Sequence, residues 1–173
     1  MFAKIIFSNL IIICTATIGY IFSYQYTQRL YQLKNLYLSF QLLETEILYA
    51  SNALPIAMKR VGKKSSKKIS TIFTDTYKIL YSKMGYSIEE AWSKAIDQNI
   101  KNLSLNKEDQ EILIDFGKNL GFTDKENQLK NFQLIYLRLK KQQEHAEQLK
   151  IKNGKLCKSL GILIGLAIVI VFI

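Results

Sequence analysis

A chain of 173 residues with a single proline and scattered glycines has room for one ordinary domain and offers no linker at which to divide it. Its formal charge of +10 admits acidic proteins, anionic lipid and nucleic acid as partners, while two cysteines, Cys14 and Cys157, exclude a fold stapled by a disulfide framework. The charge is unevenly placed: residues 5–24 and 159–173 carry none, and all 14 acidic and 23 of the 24 basic residues lie between them.

A bilayer core about 30 Å thick needs roughly 20 apolar residues as helix, because the backbone must satisfy its own hydrogen bonds there. Residues 5–24 meet that length. Residues 159–173 rise only about 22 Å, so thinning of the bilayer, snorkelling of Lys158 or a neighbouring helix has to cover the shortfall. Lys4 before an apolar run also fits a signal peptide loosely, but no small-x-small cleavage site follows and the helical pattern continues. The isoleucines before Cys14 do not suit a lipoprotein cleavage motif either. Arg29 and Lys34 follow the first apolar segment, and Lys150, Lys152, Lys155 and Lys158 precede the second. This bias predicts a cytoplasmic head with both termini on the far face. The expected organisation is a transmembrane helix at 1–24, a cytoplasmic helical bundle at 25–158 and a transmembrane helix at 159–173.

Leu33, Phe40, Ile47 and Leu54 recur at sevens, with Leu36, Leu43 and Ala50 offset by three, which is one stripe of a helix. No turn signal separates this stripe from the first apolar segment, so one helix is predicted over about 3–51, roughly 70 Å long. Pro55 suits the first turn of a short helix ending near residues 62–66. Residues 67–83 place Ile69, Ile72, Phe73, Thr76, Ile79 and Leu80 on one face, and Gly85 follows. Ser87 and Glu90 have capping-box spacing and open a helix bearing Ala91, Trp92 and Ile96. Asn106 and Asp109 do the same for residues 108–120, ending at Gly121, and Thr123 with Glu126 for the last helix. There Leu129, Phe132, Tyr136, Leu139, Ala146 and Leu149 run on towards the second apolar segment. The expected fold is all-α, a bundle of about six helices whose first and last long helices continue into two transmembrane segments.

Candidate chemistry is sparse. His145, the sole histidine, lies in a Lys-, Gln- and Glu-rich stretch that suits a solvated side chain, and no convergent ligand set suggests a metal. Gly62-Lys63, Gly117-Lys118 and Gly154-Lys155 lack the following Ser or Thr and the preceding glycine of a phosphate-binding loop. Glu44 and Glu46, two apart on a helix, point about 200° apart and cannot share a proton or ion. Glu89 and Glu90 suit a helix N-terminus. The run Lys59, Arg60, Lys63, Lys64, Lys67 and Lys68 is the strongest local charge feature, and no aromatic platform accompanies it to suggest nucleic acid. Gly161 and Gly165 form a small-x-x-x-small ridge that could pack against the first apolar helix near Gly19 or against another subunit.

A series of short motifs runs the length of the chain: Arg29 with Gln32 and Leu33, then Leu42-Leu43-Glu44-Thr45-Glu46-Ile47-Leu48-Tyr49, Leu54-Pro55 and Ala91-Trp92. Phe116-Gly117, Leu120-Gly121, Lys158-Ser159-Leu160-Gly161 and Gly165-Leu166 follow. In this order and spacing they resemble the stage III sporulation protein AB family of endospore-forming bacteria, over essentially the whole chain. Ala53 departs from the pattern, standing where many members have a further proline. The resemblance implies a non-enzymatic membrane platform of the mother cell, part of a channel or secretion-like complex reaching the forespore, with a head similar to type II secretion F and pilus platform proteins. An adaptor of a type II secretion or pilus-like system outside sporulation is the alternative. Implied partners are the sporulation ATPase, stage III sporulation protein AA, other membrane components, the lipid bilayer and further copies of the chain. No cofactor and no nucleic acid are expected. Glu44, Glu46, Tyr49, Lys63, Lys64, Lys67 and Lys68 are the expected partner-facing residues, and Gly19, Gly161 and Gly165 the expected helix-packing residues.

Overall fold

The computed structural model describes residues 2–82, 84–121 and 124–172, with the side chains of 2–6 and 172 left aside. Six α-helices follow one another: α1 Phe2–Glu44, α2 Leu54–Lys64, α3 Lys67–Tyr81, α4 Ile88–Asn99, α5 Lys107–Lys118 and α6 Lys125–Phe172. A π-helical turn, Thr45–Tyr49, closes α1, and a 3-10 turn, Ile100–Asn102, closes α4. Among the described residues there is no strand, so the all-α expectation holds. Two compact units result, one of Tyr31–Glu144 and one of Met1–Leu30 with His145–Ile173.

The local starts follow the sequence chemistry. Pro55 occupies the first turn of α2. At α4 the Ser87 hydroxyl accepts from the Glu90 amide and the Glu90 carboxylate accepts from the Ser87 amide. At α5, Asn106 and Asp109 exchange the equivalent pair of bonds at 2.8 and 3.0 Å. Thr123, expected to cap the last helix, lies outside the described residues; Asp124 accepts from the Asn127 amide at 2.8 Å. Lys83, the expected end of the third helix, also lies outside them, and α3 ends at Tyr81.

Within the unit Tyr31–Glu144 the core is aromatic. Leu33, Leu36, Phe40 and Leu43 of α1 are fully buried, as are Phe73, Trp92, Leu113, Phe132 and Leu139. The Phe40 ring lies 4.7 Å from that of Phe116, 6.0 Å from that of Phe73 and 6.1 Å from that of Trp92, mostly edge to face. The Trp92 indole donates to the Leu113 carbonyl at 2.7 Å, so its polar edge is satisfied inside the core. Gly117 makes this possible, because a Cβ there would run into the indole.

Two stripes differ from expectation. The π turn carries an extra residue per turn, so the buried positions after Leu43 are Glu46 and Leu48 rather than Ile47, and Ala50 is exposed. On α6 the buried face at its start is Gln128, Asn131, Phe132 and Ile135, leaving Leu129 exposed. Asn131 is held inward by donating to the Phe116 carbonyl near the end of α5.

In the other unit, small residues set the helix approach. A Cβ at Gly19 would lie 2.5 Å from the Cys157 carbonyl oxygen and 3.2 Å from the Gly161 Cα, and one at Gly161 would lie 2.8 Å from the Thr15 carbonyl oxygen. Gly165 sits against Ile12, and Gly154 against Ser23. Backbones this close pack by van der Waals contact without intervening side chains. Phe7, Leu10, Ile13 and Ile21 on α1 and Ile162, Leu163 and Leu166 on α6 are exposed, and Ile18, Phe22 and Ile164, also exposed, border the groove beside Gly19 and Gly161. Both helices are long and apolar enough to cross a membrane, and only 11% and 17% of their most apolar windows are buried, unlike a core helix of a soluble protein.

Two outcomes test this packing. An exposed helical glycine gains about 1 kcal/mol on replacement by alanine, but Gly117→Ala should instead cost about 1–3 kcal/mol by overpacking against Trp92, measured by denaturation of the full chain in detergent. In a chain with Cys14 and Cys157 replaced by serine, a Ser23→Cys, Gly154→Cys pair should cross-link on oxidation. Adding Gly161→Leu should suppress that cross-link, and an unchanged yield would show that the glycine contact is dispensable.

Candidate functional site

The π turn puts Glu46 and Tyr49 in opposite environments. Glu46 is 8% exposed and Tyr49 75% exposed, although both lie in the same five-residue turn. The turn is defined by the Ala50 amide donating to the Thr45 carbonyl at 3.0 Å, five residues back. Ser51 then takes φ +49°, a left-handed conformation that costs a side-chain-bearing residue about 1 kcal/mol. Asn52 secures the bend twice: its amide donates to the Glu46 carbonyl at 3.0 Å, and its side chain donates to the Glu46 carboxylate at 2.7 Å.

Two cations of α2 complete the shell of Glu46. Arg60 Nη1 lies 3.0 Å from Glu46 Oε2 and Lys64 Nζ lies 3.5 Å from Oε1. Arg60 and Lys64 are four apart, so both reach one carboxylate from one face of α2. Burial pushes the Glu46 carboxyl up, but the Arg60 hydrogen bond and charge, the Asn52 bond and the Lys64 charge together hold it below the usual carboxylate range. Glu44 takes a separate course, accepting from the Tyr136 hydroxyl at 2.6 Å. Burial, then the Glu44 hydrogen bond and charge, push the Tyr136 phenol well up, so it stays protonated as a donor. The two carboxylates share no partner.

The basic run is therefore divided. Arg60 and Lys64 attend Glu46, and Lys59 lies 5.1 Å from the centroid of the Tyr77 ring. Lys63, Lys67 and Lys68 are exposed. Lys67 and Lys68 open α3, whose first turn holds no acidic residue and whose N-cap, Ser66, makes no side-chain cap bond. Nearby, the Ser39 and Ser65 hydroxyls are 2.8 Å apart, tying α1 to the turn between α2 and α3. A cavity of about 360 Å³ beside this tie is lined by Leu38, Leu42, Thr45, Lys64, Ser65 and Ser66 among others. Sequence reasoning missed Asn52, Arg60 as a partner of Glu46, and Tyr136 as a partner of Glu44. The four-residue spacing of Arg60 and Lys64 was the available signal for the first pair. His145 is exposed, and among the described residues no group of three His, Cys, Asp or Glu side chains could hold a metal ion.

A carboxylate held below its ordinary value near 4.5 stabilises the fold fully above that pH and loses the contribution as pH falls through the lowered value. Glu46→Gln should therefore cost about 1–3 kcal/mol at neutral pH and flatten the loss of stability on acidification, as read from denaturant midpoints at pH 7 and in the acid range.

A family model described as stage III sporulation protein AB matches residues 4–173. Stage III sporulation protein AB of Bacillus subtilis (strain 168) is 32% identical over 167 residues, which are 96% of this chain and 97% of the relative. A solved structure of stage III sporulation protein AB (SpoIIIAB) superposes with a TM-score of 0.67 at 30% identity, covering 72% of this chain and 98% of that one. The chain belongs to the stage III sporulation protein AB family.

Proposed function

We propose that the chain is a non-enzymatic platform in the mother-cell membrane around the forespore, part of the channel or secretion-like complex required for endospore formation. The observation that carries this reading is the family match along nearly the whole chain, in a molecule whose two longest helices are both candidate membrane spans. The head, Tyr31–Glu144, faces the mother-cell cytoplasm on this reading, since basic residues follow the first apolar segment and precede the second. Its role is mechanical. α1 and α6 each supply residues to both compact units, which gives movement of a docked partner a covalent path toward the membrane.

The partner we infer is the sporulation ATPase, stage III sporulation protein AA, docking through an acidic surface. Lys67 and Lys68 stand at the positive end of the α3 dipole, an arrangement unfavourable by about 0.3–1 kcal/mol per charge, and acidic side chains from a partner would offset it. Lys63, also exposed, adds a third charge to the same run, and the exposed Tyr49 offers a separate aromatic contact at the end of α1. Lys64 belongs to the Glu46 shell, so the informative variant leaves it in place. Lys63→Glu, Lys67→Glu, Lys68→Glu together should lower co-purification of the ATPase from detergent extracts of sporulating cells and reduce the yield of heat-resistant spores. Membrane levels of the chain should stay unchanged; full co-purification and sporulation with the reversed charges would overturn the docking surface.

A further inference from the structure

The unit of Met1–Leu30 with His145–Ile173 has a charge and register of its own. It holds six basic residues against one acidic residue, Glu147. Four of the six, Lys150, Lys152, Lys155 and Lys158, fall within nine positions of α6, immediately before the uncharged residues 159–173, and all four are exposed. Among the described residues none of the four lies in an ion pair. Along this stretch Ile151 and Leu156 are also exposed, at 61% and 51%. Ile151, Lys155 and Lys158 are spaced by four and three, so an apolar side chain and two ammonium groups share one face of the helix.

The antiparallel register shows at what depth these charges sit. Gly19 meets Cys157 and Gly161, Thr15 meets Gly161 and Gly165, and Ser23 meets Gly154. Lys155 and Lys158 are therefore level with residues 20–24 of α1, the last turn of its uncharged segment. That turn exposes Tyr20, Ile21, Phe22 and Tyr24. The Tyr20 and Tyr24 rings stack with centroids 6.4 Å apart, and Lys158 Nζ lies 5.4 Å from the Tyr20 centroid. Tyrosines of this kind occupy the headgroup level of a bilayer, with an apolar body and a wet hydroxyl. The lysines thus run up to an aromatic collar that Lys158 touches. None of them is in an ion pair among the described residues, although Glu147 lies one turn before Lys150, and their flexible stems can lift the charge to the phosphate plane.

We propose that Lys150, Lys152, Lys155 and Lys158, with Tyr20 and Tyr24, form a binding collar for the phosphodiester headgroups of anionic phospholipids. The occupant is an anionic lipid of the surrounding leaflet rather than a soluble anion, because the ammonium groups border exposed apolar and aromatic side chains that acyl chains would cover. The proposal rests on the membrane-spanning reading of these two helices, and the experiment separates the two. The full chain is reconstituted in phosphatidylcholine bilayers and probed with spin-labelled phosphatidylglycerol and spin-labelled phosphatidylcholine, comparing the fractions immobilised by the protein. The wild type should retain phosphatidylglycerol over phosphatidylcholine by about fivefold or more at low salt, with the preference collapsing at high salt. Lys150→Gln, Lys152→Gln, Lys155→Gln, Lys158→Gln should abolish the preference, the four corresponding arginine variants should keep it, and Lys63→Gln with Lys67→Gln and Lys68→Gln should leave it unchanged. Equal retention of the two lipids by the wild type, or an intact preference in the four-glutamine variant, overturns the collar. Release of the wild type from membranes by alkaline carbonate overturns the spanning reading itself.

Discussion

The ring of Phe40 lies against those of Phe73, Trp92 and Phe116, so side chains of α1, α3, α4 and α5 converge on one position. Each short helix of the head is only 11 to 15 residues long, too short to be stable alone in water. The persistence of α3, α4 and α5 depends on this shared aromatic contact, and its geometry depends on two concessions. Gly117 gives up a side chain so that the indole of Trp92 can approach α5, and the Leu113 carbonyl accepts from the indole. With those in place, the capping boxes at Ser87 and Asn106 need only set where α4 and α5 begin.

The same unit handles its charge by a different rule. A buried carboxylate is costly unless hydrogen-bonded and paired, and Glu46 has an amide donor, a guanidinium and an ammonium around it. The arrangement links the end of α1 to α2 across the bend at Ser51 and draws Arg60 and Lys64 into structural service. What remains of the basic run for other molecules is smaller than composition suggests, and it is concentrated where α2 gives way to α3.

Much of this was legible in the sequence, and the boundary of what was not is physical. Pro55, the Ser87 and Asn106 boxes and the stripe from Leu33 to Leu43 act through neighbours a few residues away, so spacing reveals them. The π turn does not act locally. It is fixed by Asn52, Arg60 and Lys64 around Glu46, and a heptad spacing that runs on through Ile47 and Leu54 gives no warning of the extra residue. Leu129 misled for a related reason, since the buried side of α6 at that level is set by Asn131 reaching the Phe116 carbonyl. For the candidate site, the sequence marked Glu44 and Glu46 as facing apart but held no clue to Tyr136, which lies 92 positions from Glu44. The glycines at 19, 161 and 165 were visible as a ridge, whereas the register that pairs them is a property of two distant segments.

That register has a consequence for assembly within the bilayer. Gly19, Gly161 and Gly165 are consumed in the contact between α1 and α6 of one chain. The surfaces turned outward are branched and aromatic: Phe7, Leu10, Ile13 and Ile21 on one helix, Leu163, Leu166 and Ile170 on the other. A neighbouring subunit meeting those surfaces finds no flat glycine lane for its backbone. It has to interlock bulky side chains at a wider helix separation, which makes lateral association sensitive to the size of individual isoleucines and phenylalanines.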